Sequence, residues 1–158
     1  MPPRNKSTKL AKPVVKLPGL VTPSALLTDL RDLIRESRGR VAQAINSALV
    51  LLYWEVGNRL RIDVLGSKRA GYGDDVLRNL ATHLSAEFGP GFAEKSLRRM
   101  MQLAVRYPER AIVATLSRQL GWSHFVEIIP IDDPLKREFY AEMCRVHRWS
   151  VRALRDKI

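Results

Sequence analysis

Disulfide bonds and membrane-spanning segments are both missing from this sequence. Its 158 residues include one cysteine, Cys144, so no intrachain disulfide can form, which fits a reducing compartment. No apolar run approaches the roughly 20 residues that a membrane-spanning helix needs. The N-terminus carries positive charge but lacks the apolar core of a secretory signal. We therefore expect a cytoplasmic protein with no membrane partner.

The residue patterns of enzymes are also missing. Metal-dependent nucleases often carry a Glu or Asp followed two residues later by Lys, because the carboxylate holds Mg²⁺ and the lysine neutralises charge. No acid in this chain has Lys at that spacing. Cys144 and His147 supply two zinc ligands where a structural site takes four, and no nucleophile motif is present. We expect no catalytic residues, no metal and no cofactor, and hence a chain that is not an enzyme.

Positive charge is what the sequence has in excess. Lys and Arg number 27 against 16 Asp and Glu, which gives a net charge of +11. Such an excess favours a polyanionic partner, with nucleic acid ahead of an anionic membrane surface. Part of it lies in residues 1–20, which hold several lysines and prolines but no acid. We interpret residues 1–22 as a disordered basic tail, either adding phosphate contacts or acting as a solubilising leader, and residues 23–158 as the folded domain.

A helix–turn–helix pattern occupies residues 74–107, with Gly89-Pro90-Gly91 as the interruption. The apolar side of its second helix is predicted to face the core and comprises Leu97, Met100, Met101, Ala104 and Val105. The opposite side is a cationic stripe of five candidate DNA-binding residues, Lys95, Arg98, Arg99, Gln102 and Arg106. A helix that packs on a partner helix and turns basic residues outward has the layout of a helix-turn-helix reader. An ordinary surface helix also turns lysine and arginine outward, so the stripe alone does not identify a ligand.

The rest of the chain predicts further helices, so we expect an all-α fold, a compact multi-helix domain with one long helix. Thr22 and Pro23 are typical of the start of a helix over 23–36, and residues 37–39 either end it or let it run on. The long helix is predicted over 40–65, with a core face of Val41, Ile45, Ala48, Leu49, Leu52, Val56 and Leu60. Residues 109–119 predict either a short helix or a strand at 111–115.

Two N-caps mark the final helices, Asp133 before a helix that ends near residue 147 and Ser150 before the last one. The first of these helices is predicted to place four residues on one apolar face, Leu135, Phe139, Tyr140 and Met143. In the long helix, Gly57 leaves room for a neighbouring backbone. Glu55 is expected to pair with an arginine or with backbone N–H groups, because a carboxylate beside an apolar stripe needs a partner.

Short blocks containing aromatic residues follow one another along the chain. The six blocks are Tyr53-Trp54-Glu55-Val56-Gly57, Gly71-Tyr72-Gly73 with Leu80, Gly91-Phe92 followed by Ser96-Leu97-Arg98-Arg99-Met100, Leu120-Gly121-Trp122-Ser123-His124, Glu138-Phe139-Tyr140 and Trp149-Ser150-Val151-Arg152-Ala153-Leu154. Together they resemble the N-terminal domain of the YhcG-type proteins of bacteria, over residues 28–158. The resemblance implies a helical domain that usually precedes a PD-(D/E)XK nuclease domain, with a role in DNA binding, targeting or assembly.

The nuclease half has no counterpart in these residues. We therefore expect either part of a longer protein or a short stand-alone member, with a nuclease domain acting in cis or in trans. Our first hypothesis is a non-catalytic DNA-binding module, and RNA as the polyanion is not separated from DNA by this sequence. The alternative is a protein-interaction or dimerisation module, in which a homodimer forms through the long helix around Tyr53 and Trp54.

Overall fold

The computed structural model describes residues 22–66 and 71–158, and all regular structure in that part of the chain is helical. Seven α-helices occur there, α1 Pro23–Leu65, α2 Tyr72–Phe88, α3 Glu94–Arg106, α4 Arg110–Leu116, α5 Trp122–Ile128, α6 Pro134–His147 and α7 Val151–Arg155. The predicted all-α class with one long helix is confirmed. The predicted basic tail, apart from Thr22, lies outside the described residues. The chain divides into two units, Met1–Ser37 and Arg38–Ile158.

Helix α1 begins at the predicted cap. The hydroxyl of Thr22 accepts a hydrogen bond from the Ala25 N–H at 3.3 Å, and Pro23 occupies the first helical position, where a missing N–H leaves nothing unpaired. Of the two alternatives for residues 37–39, the second is confirmed, because the helix continues through Gly39 to Leu65. Glycine lowers helix stability by only about 1 kcal/mol relative to alanine, so it does not by itself end a helix.

The predicted core face of α1 is wrong in its N-terminal part. Five of the residues assigned to it are exposed, Val41, Ile45, Ala48, Leu49 and Leu52. The predicted Leu60 is buried, and the other buried positions of α1 are Val50, Trp54 and Gly57. Polar side chains explain the difference. Asn46 donates to the carbonyl oxygens of Ser117 at 3.2 Å and Leu120 at 3.1 Å, so a polar side of α1 faces inward and pairs carbonyl groups of the turn after α4.

Two clusters of buried side chains form the core of residues 38–158. The larger combines α1 with α3 to α7 and includes Val50, Trp54, Leu103, Ala104, Phe125 and Leu154. The smaller joins α1, α2 and α3 and consists of Leu60, Leu77, Ala81, Leu97 and Met100. Both clusters receive side chains from α1 and from α3. Helix α3 is therefore held in place along most of its length.

The predicted helix–turn–helix is confirmed as α2, a short 3-10 turn at Pro90–Phe92, and α3. Gly89 ends α2 with its N–H donating to the Ser85 carbonyl, and its φ of 98° is a conformation that glycine adopts without steric cost. The Phe92 ring then packs edge-on against Tyr53 of α1, with ring centroids 6.1 Å apart. One detail of α3 is wrong, since Val105 is exposed and Leu103 is fully buried in its place.

The C-terminal helices carry the predicted caps. The Asp133 carboxylate accepts from the Leu135 N–H at 2.9 Å, and the Ser150 hydroxyl accepts from the Ala153 N–H at 3.1 Å. Residues 111–115 lie within α4, so the helical alternative is confirmed over the strand. None of the helices within 22–66 and 71–158 combines the length and the apolar character needed to cross a bilayer.

The predicted apolar face of α6 is wrong as a core face. Leu135 and Phe139 are exposed, while Arg137, Ala141 and Cys144 are buried. Arg137 is accommodated because its Nη1 donates to the Ile131 carbonyl oxygen at 2.7 Å and its guanidinium lies 5.8 Å from the centroid of the Tyr107 ring. A polar side chain with local partners thus replaces the apolar residues that periodicity selected.

Candidate nucleic-acid interface

The buried side of α3 determines which of its residues face away from the core. Four residues of this helix are fully buried, Leu97, Met100, Leu103 and Ala104. Residues three and four apart lie on the same side of an α-helix, so this set defines a continuous buried stripe. The five predicted residues Lys95, Arg98, Arg99, Gln102 and Arg106 lie on the side that remains, and we call these five the cationic side of α3. The structure brings all five together on one helix.

Exposure differs among these five residues. Lys95 and Gln102 are exposed, whereas the three arginines are partly buried. Within the described part of the chain, neither Lys95 nor Arg99 forms a direct ion pair. The positive charge of Arg99 does reach Glu127, whose pKa is lowered first by a hydrogen bond from Arg155 and to a smaller extent by Arg99.

Arg98 forms two ion pairs that the sequence prediction did not include. Its Nη2 lies 2.7 Å from Glu94 Oε1 and 2.8 Å from Asp74 Oδ1, the latter at the start of α2. Hydrogen bonds to Glu94 and then Asp74 raise the pKa of this guanidinium. The spacing of Glu94 and Arg98 is a helical i, i+4 pair that can be recognised in a sequence, whereas Asp74 lies 24 positions away.

Arg106 is paired as well, with the carboxylate of Asp132 in the turn before α6. The cationic side therefore carries four basic residues together with Glu94, Asp74 and Asp132. With these acids counted, the net positive charge on this side of α3 is much smaller than that of the predicted stripe alone. All these side chains are about one third or more exposed, and ion pairs of that kind contribute only about 0–1 kcal/mol each. Breaking these ion pairs therefore costs little free energy.

Tyr53 and Trp54, the aromatic residues of the alternative interaction module, pack against other side chains of the domain. Trp54 is 7% exposed, and its Nε1 donates to the Tyr107 carbonyl oxygen at 2.7 Å. Tyr53 packs edge-on against Trp122, with 4.9 Å between ring centroids. Both rings therefore pack mainly inside the domain, and an interaction surface on the long helix around them stays a prediction. The neighbouring Glu55 pairs with Arg110 at 3.1 Å, which confirms the prediction of an arginine partner.

Groups suited to metal binding or nucleophilic chemistry are sparse. Among residues 22–66 and 71–158, no set of three or more His, Cys, Asp or Glu side chains is placed to hold a metal ion. Cys144 is buried, and burial raises the pKa of its thiol, which disfavours the reactive thiolate. His124 is occupied by backbone partners, since its Nδ1 accepts from the Gly121 N–H and its Nε2 lies 2.8 Å from the Trp149 carbonyl oxygen.

Comparison of the sequence with known protein families identifies the family of this chain. The model of the DUF1016 N-terminal domain matches residues 29–158. The chain belongs to this family. The DUF1016 domain described here is also similar to the Escherichia coli (strain K12) protein named "Putative nuclease YhcG", with 24% identity over 156 residues. The similarity covers 80% of this chain, which spans 42% of that relative's length. The predicted resemblance to a YhcG-type N-terminal domain is confirmed, and no solved structure gives a significant match.

Proposed function

We propose that this DUF1016 domain is a non-catalytic module that binds DNA through the cationic side of α3 and positions a nuclease domain on it, in cis or in trans. The supporting observation is that two buried clusters hold α3 with Lys95 and Gln102 exposed and Arg99 partly exposed on the side away from the core. The net charge of +11 adds a long-range attraction to polyanions. The relative's name describes a nuclease. From the resemblance to YhcG-type proteins, we expect the nuclease domain that this module positions to be of the PD-(D/E)XK class.

Each residue of the cationic side has its own part in this proposal. Lys95 and Arg99 have no direct acidic partner among the described residues, so they make the first phosphate contacts. Arg98 and Arg106 exchange their carboxylates for phosphate. Gln102 is a neutral amide near the middle of the helix, and an amide can pair with adenine through both of its polar atoms in the major groove. Affinity then comes mainly from phosphates, with base recognition as a smaller contribution.

The test compares two doubly substituted variants with the same change in net charge. In the first, Lys95→Gln and Arg99→Gln remove the unpaired cations of α3. In the control, Arg59→Gln and Arg145→Gln remove two cations, one from α1 and one from α6. Binding to a labelled DNA duplex is measured by fluorescence anisotropy at several salt concentrations. Removing one phosphate contact lowers the magnitude of the salt slope by about 0.9, so the α3 variant should lower it by about 2.

The control variant should retain nearly the wild-type slope, because its cations are not on the proposed interface. If both variants lower affinity and slope equally, the net charge rather than α3 accounts for binding. If wild-type affinity does not change with salt, phosphate contacts are absent and the proposal fails. Repeating the titration with an RNA duplex of the same sequence separates DNA from RNA as the preferred ligand.

A second function, formation of a homodimer, is supported by the start of α1. Five large apolar residues near its N-terminus are about half exposed, namely Leu26, Leu27, Leu30, Leu33 and Ile34. Acidic and basic residues alternate beside them, with Asp29 and Asp32 close to Arg31 and Arg35. A helix face that carries both signs of charge is complementary to an antiparallel copy of itself, so a second copy of the chain is the occupant we propose.

Sedimentation equilibrium tests this second function. The wild type should show a monomer–dimer equilibrium, and Leu30→Glu with Ile34→Glu should abolish it by placing charges in the apolar contact. The control, Leu135→Glu with Phe139→Glu, changes two exposed apolar residues of α6 and should leave the equilibrium unchanged. A wild-type chain that stays monomeric at every concentration contradicts dimer formation.

A further inference from the structure

A polar cleft lies between the turn that follows α4 and the turn that connects α6 to α7. Its volume is about 410 Å³, and its lining includes Gln43, Arg118, Gln119, Arg148 and Trp149. Both walls are fixed by hydrogen bonds. Gln43 of α1 donates to the Arg118 carbonyl oxygen, and His124 joins the Gly121 N–H to the Trp149 carbonyl oxygen. The cleft is therefore shaped by the domain itself before any ligand binds.

Charge in this cleft is of one sign. Arg118 and Arg148 both line it, both are exposed, and its lining contains no acidic residue. Neither arginine forms an ion pair with another residue in the described part of the chain. Several arginines elsewhere in the domain are paired with carboxylates, among them Arg98, Arg106, Arg110, Arg145 and Arg155. The cleft thus brings together two guanidinium groups that have no carboxylate partner in the described part of the chain.

The backbone of Arg148 supplies an independent observation. This residue follows α6 with φ 51° and ψ 44°, and no other non-glycine residue within 22–66 and 71–158 has positive φ. Glycine is the usual residue at such a helix end, because a side chain in the left-handed region adds about 1 kcal/mol of strain. A non-glycine residue held in this conformation at a helix end supports a use for its guanidinium group.

The chemistry of the lining favours a phosphate group as the ligand. Guanidinium groups bind phosphate through paired hydrogen bonds, and a doubly charged anion matches two cations better than a single carboxylate does. Lys157 adds a further positive charge nearby, with its Nζ 4.9 Å from the centroid of the Trp149 ring. The same ring stacks with His147 at an interplanar angle of 24°, so it is already engaged and is not a platform for a base. We infer that this cleft is a phosphate-binding site formed by Arg118 and Arg148. It does not depend on the proposed role of α3.

The test uses the full chain and inorganic phosphate. Backbone amide signals are followed by NMR while phosphate replaces chloride at constant ionic strength. Saturable shifts are expected at Gln119, Arg148 and Trp149. Arg148→Gly should weaken binding by about tenfold or more, because it removes a charge-assisted hydrogen-bond donor. Its melting temperature should equal or exceed that of the wild type, since glycine relieves the positive φ. Loss of binding then cannot be attributed to unfolding.

Two further variants complete the design. Arg118→Gln should weaken phosphate binding to a similar extent, and Arg59→Gln, which removes an exposed cation of α1, should leave it unchanged. Equal binding by the wild type and Arg148→Gly overturns the inference. So do shifts that spread over all basic residues without saturation. The Lys95→Gln, Arg99→Gln variant should bind phosphate normally, so failure of DNA binding at α3 and failure of this site are distinguished.

The source of the phosphate is identified by two more titrations, one with a nucleoside monophosphate and one with a short DNA duplex. If the duplex shifts the same amides and competes with inorganic phosphate, the site holds a backbone phosphate. If only the free anion and the monophosphate do so, it holds a small phosphate ester. Both results require sensitivity to Arg148→Gly, and insensitivity in every titration contradicts the site.

Discussion

The backbone carbonyl of Met100 in α3 lies against Gly57 in α1, so close that a side chain at residue 57 would overlap it. The two helices meet here backbone to backbone, beside the buried Leu97 and Met100 of the smaller cluster. Arg99 precedes Met100 directly in the chain. The position of the cationic side of α3 therefore depends on the absence of a side chain at Gly57, and the role predicted for this glycine is confirmed.

We predict that Gly57→Ala destabilises the domain by about 1–3 kcal/mol. Alanine favours a helix by about 1 kcal/mol over glycine, but overpacking against a rigid backbone carbonyl typically costs more than that gain. Gly39→Ala is the matched control in the same helix, because a Cβ at Gly39 meets nothing within 4 Å. It should stabilise the domain by up to about 1 kcal/mol. Urea denaturation measures both changes, and equal effects of the two substitutions would contradict the close approach.

A second prediction concerns Tyr107, whose buried hydroxyl has no hydrogen-bond partner among the described residues. Replacing an unpaired buried polar group by an apolar one removes a desolvation cost of about 1–3 kcal/mol. Tyr107→Phe should therefore leave the free energy of unfolding unchanged or raise it at neutral pH. Tyr140→Phe is the control, because its hydroxyl donates to the Lys157 carbonyl oxygen at 2.6 Å. That variant should be less stable by about 1 kcal/mol, and the opposite order would refute the prediction.

The same hydroxyl makes stability depend on pH in alkaline solution. Burial raises the pKa of Tyr107 from 10.0 to about 12, with Glu138 adding to the shift and Arg137 opposing it. The unfolded chain loses this proton near pH 10 and the folded chain near pH 12, so stability falls as pH rises through that window. The loss amounts to about 3 kcal/mol. Tyr107→Phe lacks this contribution, so unfolding free energies of the two proteins should diverge between roughly pH 9.5 and 11. If the unfolding free energies of the two proteins change in parallel with pH, the pKa of Tyr107 is not raised.

Periodicity predicted the elements of this fold better than their buried faces. The spacing of apolar residues together with Gly89 and Pro90 predicted α2, the turn and α3, and two capping residues predicted the starts of α6 and α7. Where a helix is apolar on more than one side, however, spacing does not determine which side is buried. In α1 that choice depends on Asn46, which pairs with turn carbonyls more than 70 positions away. In α6 it depends on Arg137, whose partners become visible only in the folded chain.

The candidate site could be predicted in the same partial way. All five residues of the cationic side lie on α3 because their spacing is a local property of one helix. Their charge balance is not local. Asp74 and Asp132 come from other parts of the chain and reach α3 only through tertiary packing. The arginines of the polar cleft, Arg118 and Arg148, lie 30 positions apart with no shared motif, so only the folded chain pairs them.

The acidic partners of α3 lead to the last prediction, that Asp74→Asn with Asp132→Asn strengthens DNA binding. Both carboxylates pair with arginines of the cationic side, and both would repel a nearby phosphate. At about 4 Å in water each such charge contributes about 1 kcal/mol. Removing two should therefore raise affinity roughly thirtyfold at low salt. Screening should reduce the gain as salt increases, because the Debye length falls to about 10 Å at 0.1 M ionic strength.

The matched control for this prediction is Asp63→Asn with Glu142→Gln, which changes the net charge equally on exposed residues of α1 and α6. If that variant gains as much affinity, binding follows the total charge and α3 has no special part. Asp74 also lies in the first turn of α2, where a carboxylate stabilises the helix by about 0.3–1 kcal/mol, so thermal unfolding is measured alongside. If the Asp74→Asn, Asp132→Asn variant is slightly less stable yet binds DNA more tightly, the electrostatic role of these acids is separate from their role in folding. If the control variant shows no such gain in affinity, the interface is assigned to α3.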